Sequence, residues 1–225
     1  MGFINIASTT TLYPSKYGLM YEGTPTRKLL YYPFDTALDT ARWTLTLSSG
    51  TGTSDLLTTL GNYRLKTTAT TSRYARLTAN CGFRIGDFTT TYILAKVMTT
   101  TKSVLDANAI WRIGFGNTTL DAANCFAFGD MGNTDFSMQS FANDGTHTDE
   151  TAPSLSAITN STWFIVKLVI TSSYVKCYIN GTLMGTKTTK MPSTTVALYP
   201  IFEVQNFNAG NRDMYIESVR VIGEY

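Results

Sequence analysis

Charged residues are scarce in this sequence. Asp, Glu, Lys and Arg make up 15% of the 225 residues, against about 25% in ordinary soluble domains. The 18 basic and 16 acidic residues leave a net charge of +2. No basic run stands out, so a surface for nucleic acid is not expected. The hydrophobic content of 43% is enough for one real core.

Histidine and cysteine, the usual ligands of zinc, are almost absent. There is one His, and the three cysteines are Cys81, Cys125 and Cys177. An odd number of widely spaced cysteines predicts neither a disulfide framework nor a zinc site. Cys177 lies on the apolar side of an alternating segment, where a cysteine acts as a small buried hydrophobe. All three are therefore predicted to be structural thiols.

Long apolar runs and helical periods are missing too. No stretch approaches the ~18–20 residues of a membrane span, and the N-terminus lacks the basic and apolar regions of a secretory signal. Only 35–43 and 53–60 could form a turn or two of helix. Threonine fills the composition instead, at about one residue in six. It is β-branched and polar, so it suits the wet face of a strand.

The clearest β pattern runs from Trp163 to Gly185. Apolar residues alternate over 163–171 and again over 174–179, the period of a strand with one buried face. Asn180-Gly181 follows, the dipeptide that best tolerates the positive φ angles of a type I′ turn. This stretch predicts two or three antiparallel strands joined by tight turns.

Shorter segments of the same kind recur along the chain and predict more than ten strands. They lie at 43–47, 63–66, 74–77, 83–85, 88–99, 109–115, 125–129, 136–141, 196–205 and 214–222. The polar stretch from Asn143 to Pro153 predicts a loop. Many short strands with turn signals between them predict an all-β fold, an antiparallel sandwich or barrel.

Residues 1–34 differ from the rest, because prolines and tyrosines follow one another there in irregular order. Prolines exclude a central strand, and tyrosines argue against plain disorder. We expect an extended N-terminal arm that docks on a neighbouring subunit, followed by one domain over 35–225. An edge strand with loops packed on the same domain is the alternative.

Several of these segments resemble a known fold family. The Trp-led strand 163–169, followed by 175–183 (VKCYINGTL), resembles the laminin-G-like and concanavalin A-like jelly roll. Residues 214–221 look like the last strand of that family, and 88–97 like an early one. The resemblance covers about residues 40–225 and implies a jelly-roll β-sandwich. That fold hosts lectins, glycosidases, lyases, adhesion modules and virion proteins.

A narrower similarity points to one of these classes. The Gly-Thr-rich turn at 49–54, the segment 63–77 and a jelly roll ending in YING are similar to structural proteins of tailed phages and related viruses. The similarity implies a non-enzymatic virion structural protein, such as a capsid decoration protein, on the particle surface. Its expected partners are other capsid subunits and further copies of itself, since symmetric oligomers are the default. A lectin-like module for cell-surface glycans is the alternative, and a polysaccharide-active enzyme comes third.

The sequence predicts no catalytic residue. Glycosidases need two facing carboxylates about 5–9.5 Å apart, and no strand offers the pattern E-x-D or E-x-D-x-E. Glu203 and Glu217 are isolated acids within strands. His147 lies in a predicted loop without catalytic partners, where a lone histidine is usually solvated.

Binding candidates come from the strand faces opposite the apolar ones. A glycan site combines an aromatic platform with planar polar groups. Eight residues are candidates for such a face: Arg112, Gln139, Trp163, Lys167, Lys176, Tyr178, Glu203 and Gln205. In the simpler interpretation Trp163 caps the edge of the sandwich and the others form ordinary solvated surface.

Calcium is the metal that the composition favours, since calcium binds oxygen ligands. The candidate ligands are Asp121, Asp130, Asp135, Asp144 and Asp149. None of them forms a D-x-[DN]-x-[DN]-G loop, and turn geometry explains Asp144-Gly145 equally well. No other cofactor is expected.

Overall fold

The computed structural model describes residues 26–34, 38–48, 53–57, 62–67, 73–99, 109–131, 136–142, 144–151, 161–206 and 212–225. Within these ranges the chain forms fifteen strands and one 3-10 helix, Ile85–Asp87. The strands are β1 Thr26–Pro33, β2 Trp43–Leu47, β3 Thr53–Leu57, β4 Asn62–Thr67, β5 Arg73–Ala79, β6 Thr90–Thr99, β7 Ala109–Gly116, β8 Cys125–Met131, β9 Phe136–Phe141, β10 His147–Thr151, β11 Phe164–Ile170, β12 Val175–Ile179, β13 Thr182–Lys187, β14 Tyr199–Asn206 and β15 Arg212–Glu224. None of the described residues belongs to a helix with the length and apolar character needed to cross a membrane.

The strands form two antiparallel sheets. Sheet A has the order β13-β12-β11-β6-β15-β4-β3, and β1 also pairs with β15. Sheet B has the order β10-β9-β8-β7-β14-β5-β2. β15 pairs with β6 along one side, and on its other side with β4 over 212–216 and with β1 over 218–224. The predicted all-β antiparallel sandwich is confirmed.

The core lies between the two sheets, because alternate residues of each strand point inward. On β6, Ile93, Ala95 and Val97 are buried, and on β14, Phe202 and Val204. Packed rings strengthen it: the Phe115 and Phe126 rings stack with centroids 5.5 Å apart. Burying one large apolar side chain stabilises a fold by about 1.5–3 kcal/mol, so this interior holds the sheets together.

The hairpin predicted around Asn180-Gly181 is confirmed. β11, β12 and β13 are antiparallel neighbours, and Ile179 pairs with Thr182 across the turn. Asn180 has φ 48° and Gly181 φ 86°, both in the left-handed region that this dipeptide tolerates. The Asn180 side-chain oxygen also accepts a hydrogen bond from the Ile165 amide at 2.9 Å, which ties the turn to β11.

Two local predictions are wrong, and both concern edge strands. The stretch 143–153, predicted as a loop, contains β10, which pairs with β9 at the edge of sheet B. The stretch 53–60, predicted to form a turn of helix, contains β3, which pairs with β4 at the edge of sheet A. An edge strand pairs through its backbone on one side only, so its sequence need not show the pattern of a buried strand.

The segment predicted as an N-terminal arm, residues 1–34, includes residues that belong to sheet A. Residues 26–33 form β1 within sheet A, and Phe34 is fully buried. The Phe34 ring lies 5.2 Å from the Trp43 ring and 5.7 Å from the Tyr63 ring, centroid to centroid. This end of the segment is part of the sandwich, as in the alternative interpretation. Residues 1–25 lie outside the described residues.

Candidate active site on the outer face of sheet B

Glu203 is at the centre of a charged row on the outer face of sheet B. Its neighbours Phe202 and Val204 enter the core, so the alternation of the strand directs Glu203 outward. Its register partners are Arg76 on β5 and Arg112 on β7. Directly opposed residues have Cβ atoms about 4.5–5.5 Å apart, so the sheet itself places one carboxylate between two guanidinium groups.

Both oxygens of Glu203 are engaged. Arg76 Nε donates to Oε2 at 2.5 Å, and Arg112 Nε donates to Oε1 at 3.0 Å, with Arg112 Nη2 donating to the same oxygen. Glu203 is 1% exposed and Arg112 4%. Charges withdrawn from water this far cost several kcal/mol each unless they are paired and hydrogen-bonded. Arg76, Glu203 and Arg112 therefore form one hydrogen-bonded cluster of charges.

A loop covers part of the same face and adds a second carboxylate. Residues 117–124 connect β7 to β8, and Leu120 is fully buried against Ala127 and Ile201. The next residue, Asp121, has 56% of its side chain exposed, and its Oδ2 lies 3.6 Å from Arg112 Nη2. Leu120 thus anchors the loop, and Asp121 lies between the buried row and solvent.

Asn124 fixes the far end of this loop. Its backbone has φ 58°, a left-handed conformation that Asn tolerates better than most residues. Its amide donates to the Ala142 carbonyl at 3.2 Å, and its side-chain oxygen accepts from the Ser193 amide at 2.8 Å. The Asn117 amide donates to the Asn124 carbonyl at 3.1 Å and closes the loop. Asp121 is therefore carried by a loop that is tied at both ends.

The electrostatics of the site favour an ionised Asp121. Partial burial alone raises its pKa, but the Thr119 hydroxyl and the positive charges of Arg112 and Arg76 act more strongly in the opposite direction. The net result is a pKa below the usual value of 3.8. An ionised carboxylate that water and ligands can reach is suited to act as a nucleophile or a base.

The two carboxylates are also close together. Asp121 and Glu203 both contact Nη2 of Arg112. The two carboxylates are therefore neighbours, joined by the Arg112 guanidinium. Of the two, only Asp121 is open to solvent, because Glu203 is 1% exposed and both of its oxygens accept hydrogen bonds from arginines.

The eight predicted binding residues divide between the two outer faces of the sandwich. Arg112, Gln139, Glu203 and Gln205 lie on sheet B, opposite its core side. Lys167, Lys176 and Tyr178 lie on the outer face of sheet A, and Trp163 directly precedes β11 on that sheet. The eight residues do not form one surface.

The calcium candidates are similarly scattered. Asp121 contacts Arg112, and Asp144 accepts hydrogen bonds from the amide and hydroxyl of Thr146 at 2.9 and 2.6 Å. The side chains of Asp130 and Asp149, and the whole of Asp135, lie outside the described residues. Within the described part of the chain, no three His, Cys, Asp or Glu side chains come together as a metal site would need.

Two residues of the charged site, Arg76 and Asp121, are not predicted as part of an active site from the sequence. The sequence predicts no role for Arg76, and it predicts Asp121 only as a calcium ligand. The sequence contains one signal: Arg112 and Glu203 are each the only charged residue of their strand. Buried charges need partners of opposite sign. A lone Arg in one strand and a lone Glu in another therefore predict that the two strands are neighbours.

The fold is shared with solved glycoside hydrolases. The β-glucanase of Bacillus licheniformis superposes with a TM-score of 0.64 at 15% identity, over 85% of this chain and 96% of that one. An endo-acting O-glycanase of the human gut microbiota, linked to mucin breakdown, gives 0.65 at 12% identity, over 88% and 100%. The laminarinase catalytic domain of Thermotoga maritima gives 0.61 at 12% identity, over 89% and 99%. This is the jelly roll of the β-glucanases.

Other comparisons give no match. No protein-family model matches the sequence, and no curated protein matches it. Identities of 12–15% establish the fold alone.

The comparison corrects the functional prediction. The prediction of a non-enzymatic virion structural protein is contradicted, because solved structures that share the fold over 86–89% of this chain are glycoside hydrolases. The prediction that it is not an enzyme is overturned by the same finding. The jelly-roll part of the resemblance is confirmed, whereas no link to phages or viruses is found. The expected capsid partners and virion location depend on the overturned prediction.

Proposed function

We propose that this protein is a polysaccharide-active enzyme that hydrolyses glycosidic bonds on the outer face of sheet B. The observation that carries the proposal is the exposed carboxylate of Asp121, 3.6 Å from Arg112 in a buried row of opposite charges. In a fold shared with glycoside hydrolases, this is the group best suited to attack a sugar or to activate water. Asp121 is assigned that role.

Glu203 and the two arginines are assigned a supporting role. Both oxygens of Glu203 accept hydrogen bonds from Arg76 and Arg112, so this carboxylate holds the guanidinium groups in place. Arg112 in turn lies 3.6 Å from the Asp121 carboxylate and helps to fix its position. Preorganised charges of this kind act without reorganising during the reaction. Glu203 is therefore a positioning residue, since it reaches the reacting atoms through Arg112.

The neighbouring positions on the face suit a sugar chain. Tyr74 on β5 and Gln205 on β14 are register partners. They lie two residues along their strands from Arg76 and Glu203 of the charged row. The Arg76 guanidinium lies 5.0 Å from the centroid of the Tyr74 ring, which holds the ring in place. An aromatic ring beside an amide offers a stacking surface together with hydrogen-bond donors and acceptors for hydroxyl groups.

The test is hydrolysis by the purified chain of β-1,3-glucan, β-1,3-1,4-glucan and mucin O-glycans, measured by the release of reducing ends. We expect cleavage of at least one of them, and a drop in kcat of roughly 10²-fold or more in Asp121→Asn. Asp87→Asn, an exposed acid at the end of the 3-10 helix, is the control and should retain full activity. Absence of cleavage with all three, or equal activity in both variants, overturns the proposal.

A further inference from the structure

Three lysines form a diagonal row across the outer face of sheet A. Lys96 on β6 lies opposite Ile165, and Lys167 on β11 lies two residues beyond Ile165. Lys167 lies opposite Tyr178, and Lys176 on β12 lies two residues before Tyr178. Diagonal neighbours in an antiparallel sheet are about 7–8 Å apart. The sheet thus spaces three cations evenly along one line.

Each ammonium group lies against an aromatic ring. Lys96 Nζ is 5.6 Å from the Trp163 ring centroid, and Lys176 Nζ is 4.8 Å from that of Tyr174. Lys167 Nζ lies between two rings, 5.2 Å from Tyr92 and 5.7 Å from Tyr178. These distances are within the ≈ 6 Å range of cation–π attraction. Lysine side chains are otherwise flexible, so the rings restrict where the charges can lie.

The charge of this row is only partly neutralised. Glu217 pairs with Lys96 at 2.5 Å. Among the described residues no carboxylate pairs with Lys167 or Lys176. Ile165 and Leu183, 45% and 47% exposed, flank the row. The Glu224 carboxylate lies nearby and accepts a hydrogen bond from the Tyr92 hydroxyl at 2.9 Å. Lys167 and Lys176 thus contact aromatic rings and have no carboxylate partner within the described part of the chain.

We propose that the outer face of sheet A binds an acidic polysaccharide, one with carboxylate or sulfate groups along its chain. The lysines pair with the acidic groups, and the exposed edges of the rings contact the sugars. The choice of a polysaccharide, among possible polyanions, rests on the proposed function. Because sheet A and sheet B form opposite surfaces of the sandwich, a chain bound here leaves Asp121 open to substrate. The surface would hold the enzyme on an acidic matrix.

The test measures binding of polygalacturonate and dextran sulfate, with neutral dextran as the reference, by affinity electrophoresis and calorimetry. We expect both polyanions to bind, dextran not to bind, and added salt to weaken binding because exposed charges are screened. The double variant Lys167→Gln/Lys176→Gln should lose at least tenfold in affinity. Arg84→Gln/Lys190→Gln, which removes two exposed cations elsewhere, should lose less than twofold.

Other outcomes overturn the inference. These are failure of both polyanions to bind, equal loss in the two double variants, or tighter binding of a single-stranded oligonucleotide than of either polysaccharide. Hydrolysis of neutral glucans tests the proposed function separately. A chain that binds polyanions without cleaving any glycan contradicts the proposed function alone, and a chain that cleaves without binding them contradicts this inference alone.

Discussion

Glu203 and Arg112 are register partners on adjacent strands, and both are almost fully withdrawn from solvent. The pair is not isolated, because Arg76 contacts the other oxygen of Glu203 and Asp121 contacts Arg112 from the solvent side. Removing Glu203 takes away the one carboxylate that both arginines contact. The charged row therefore determines both the stability of sheet B and the position of Asp121.

Replacing Glu203 should be costly. Glu203→Gln leaves two arginines beside a neutral amide, and removing one partner of a buried ion pair costs about 3–5 kcal/mol. Urea unfolding followed by tryptophan fluorescence measures the loss. Glu217→Gln is the matched control, since the Glu217–Lys96 pair lies nearer the surface and such pairs contribute about 0–1 kcal/mol. Similar losses in both variants would contradict a structural role for the row.

Gly129 should tolerate no side chain. It lies opposite Arg112 in the next strand, and a Cβ there would lie 2.0 Å from the Trp111 carbonyl oxygen, with φ +153°. Gly129→Ala should cost at least the 1–3 kcal/mol of overpacking. Gly145→Ala, at φ +77° with open space around it, should cost about 1 kcal/mol from backbone strain alone. Calorimetry compares the two, and a smaller loss at Gly129 would contradict the close approach.

The three thiols should react in two classes. Cys81 is exposed, whereas Cys125 and Cys177 are buried. Burial raises the pKa of Cys125 to about 12 and that of Cys177 well above its usual value, and the thiolate is the reactive form. An aromatic disulfide reagent should modify one thiol in the native chain and three after denaturation. Cys81→Ser should abolish the fast phase, and a second fast thiol would show that the core is open.

The Asp121–Arg112 contact should stabilise the fold in a defined pH range. The pKa of Asp121 is lower in the folded chain than its usual 3.8, so the unfolded chain takes up this proton first. The stabilisation is fully present above the unfolded pKa and is lost as the pH falls through the folded pKa. The difference in stability between the wild type and Asp121→Asn should be constant from pH 7 to 5 and shrink below about 4.

Asp87→Asn is the control variant for that titration, because Asp87 is an exposed acid at the end of the 3-10 helix and is not part of the charged row. A gap between wild type and Asp121→Asn that widens as the pH falls would have the wrong sign. It would mean that folding raises the pKa of Asp121 instead of lowering it.

The sequence predicts elements whose signal is local. Asn180-Gly181 specifies its own turn, and the alternation in β6 and β11 is clear because both strands have one buried face. The edge strands β3 and β10 are not predicted. Their extended conformation depends on pairing with β4 and β9, and their own sequences lack a clear alternating pattern. The sequence does not predict Tyr32 and Phe34 as core residues. They are buried because β1 pairs with β15, a strand that is distant in the sequence.

The site is harder to predict than the fold. Arg76 and Arg112 meet Glu203 across 127 and 91 residues of sequence, and strand order is what joins them. Glu203 and Arg112 are identified as candidates one by one, for glycan contact, but their mutual pairing needs the register of β7 and β14. Asp121 enters through a loop whose path depends on the burial of Leu120.

The place of β15 in sheet A has a consequence for biosynthesis. This strand, the last of sheet A to leave the ribosome, pairs with β6 on one side and with β4 and β1 on the other. Until it emerges, those three earlier strands lack the neighbour that joins them. Sheet A is therefore completed only after translation has passed β15, and until then the edges that β6, β4 and β1 present to it are unpaired and prone to aggregation.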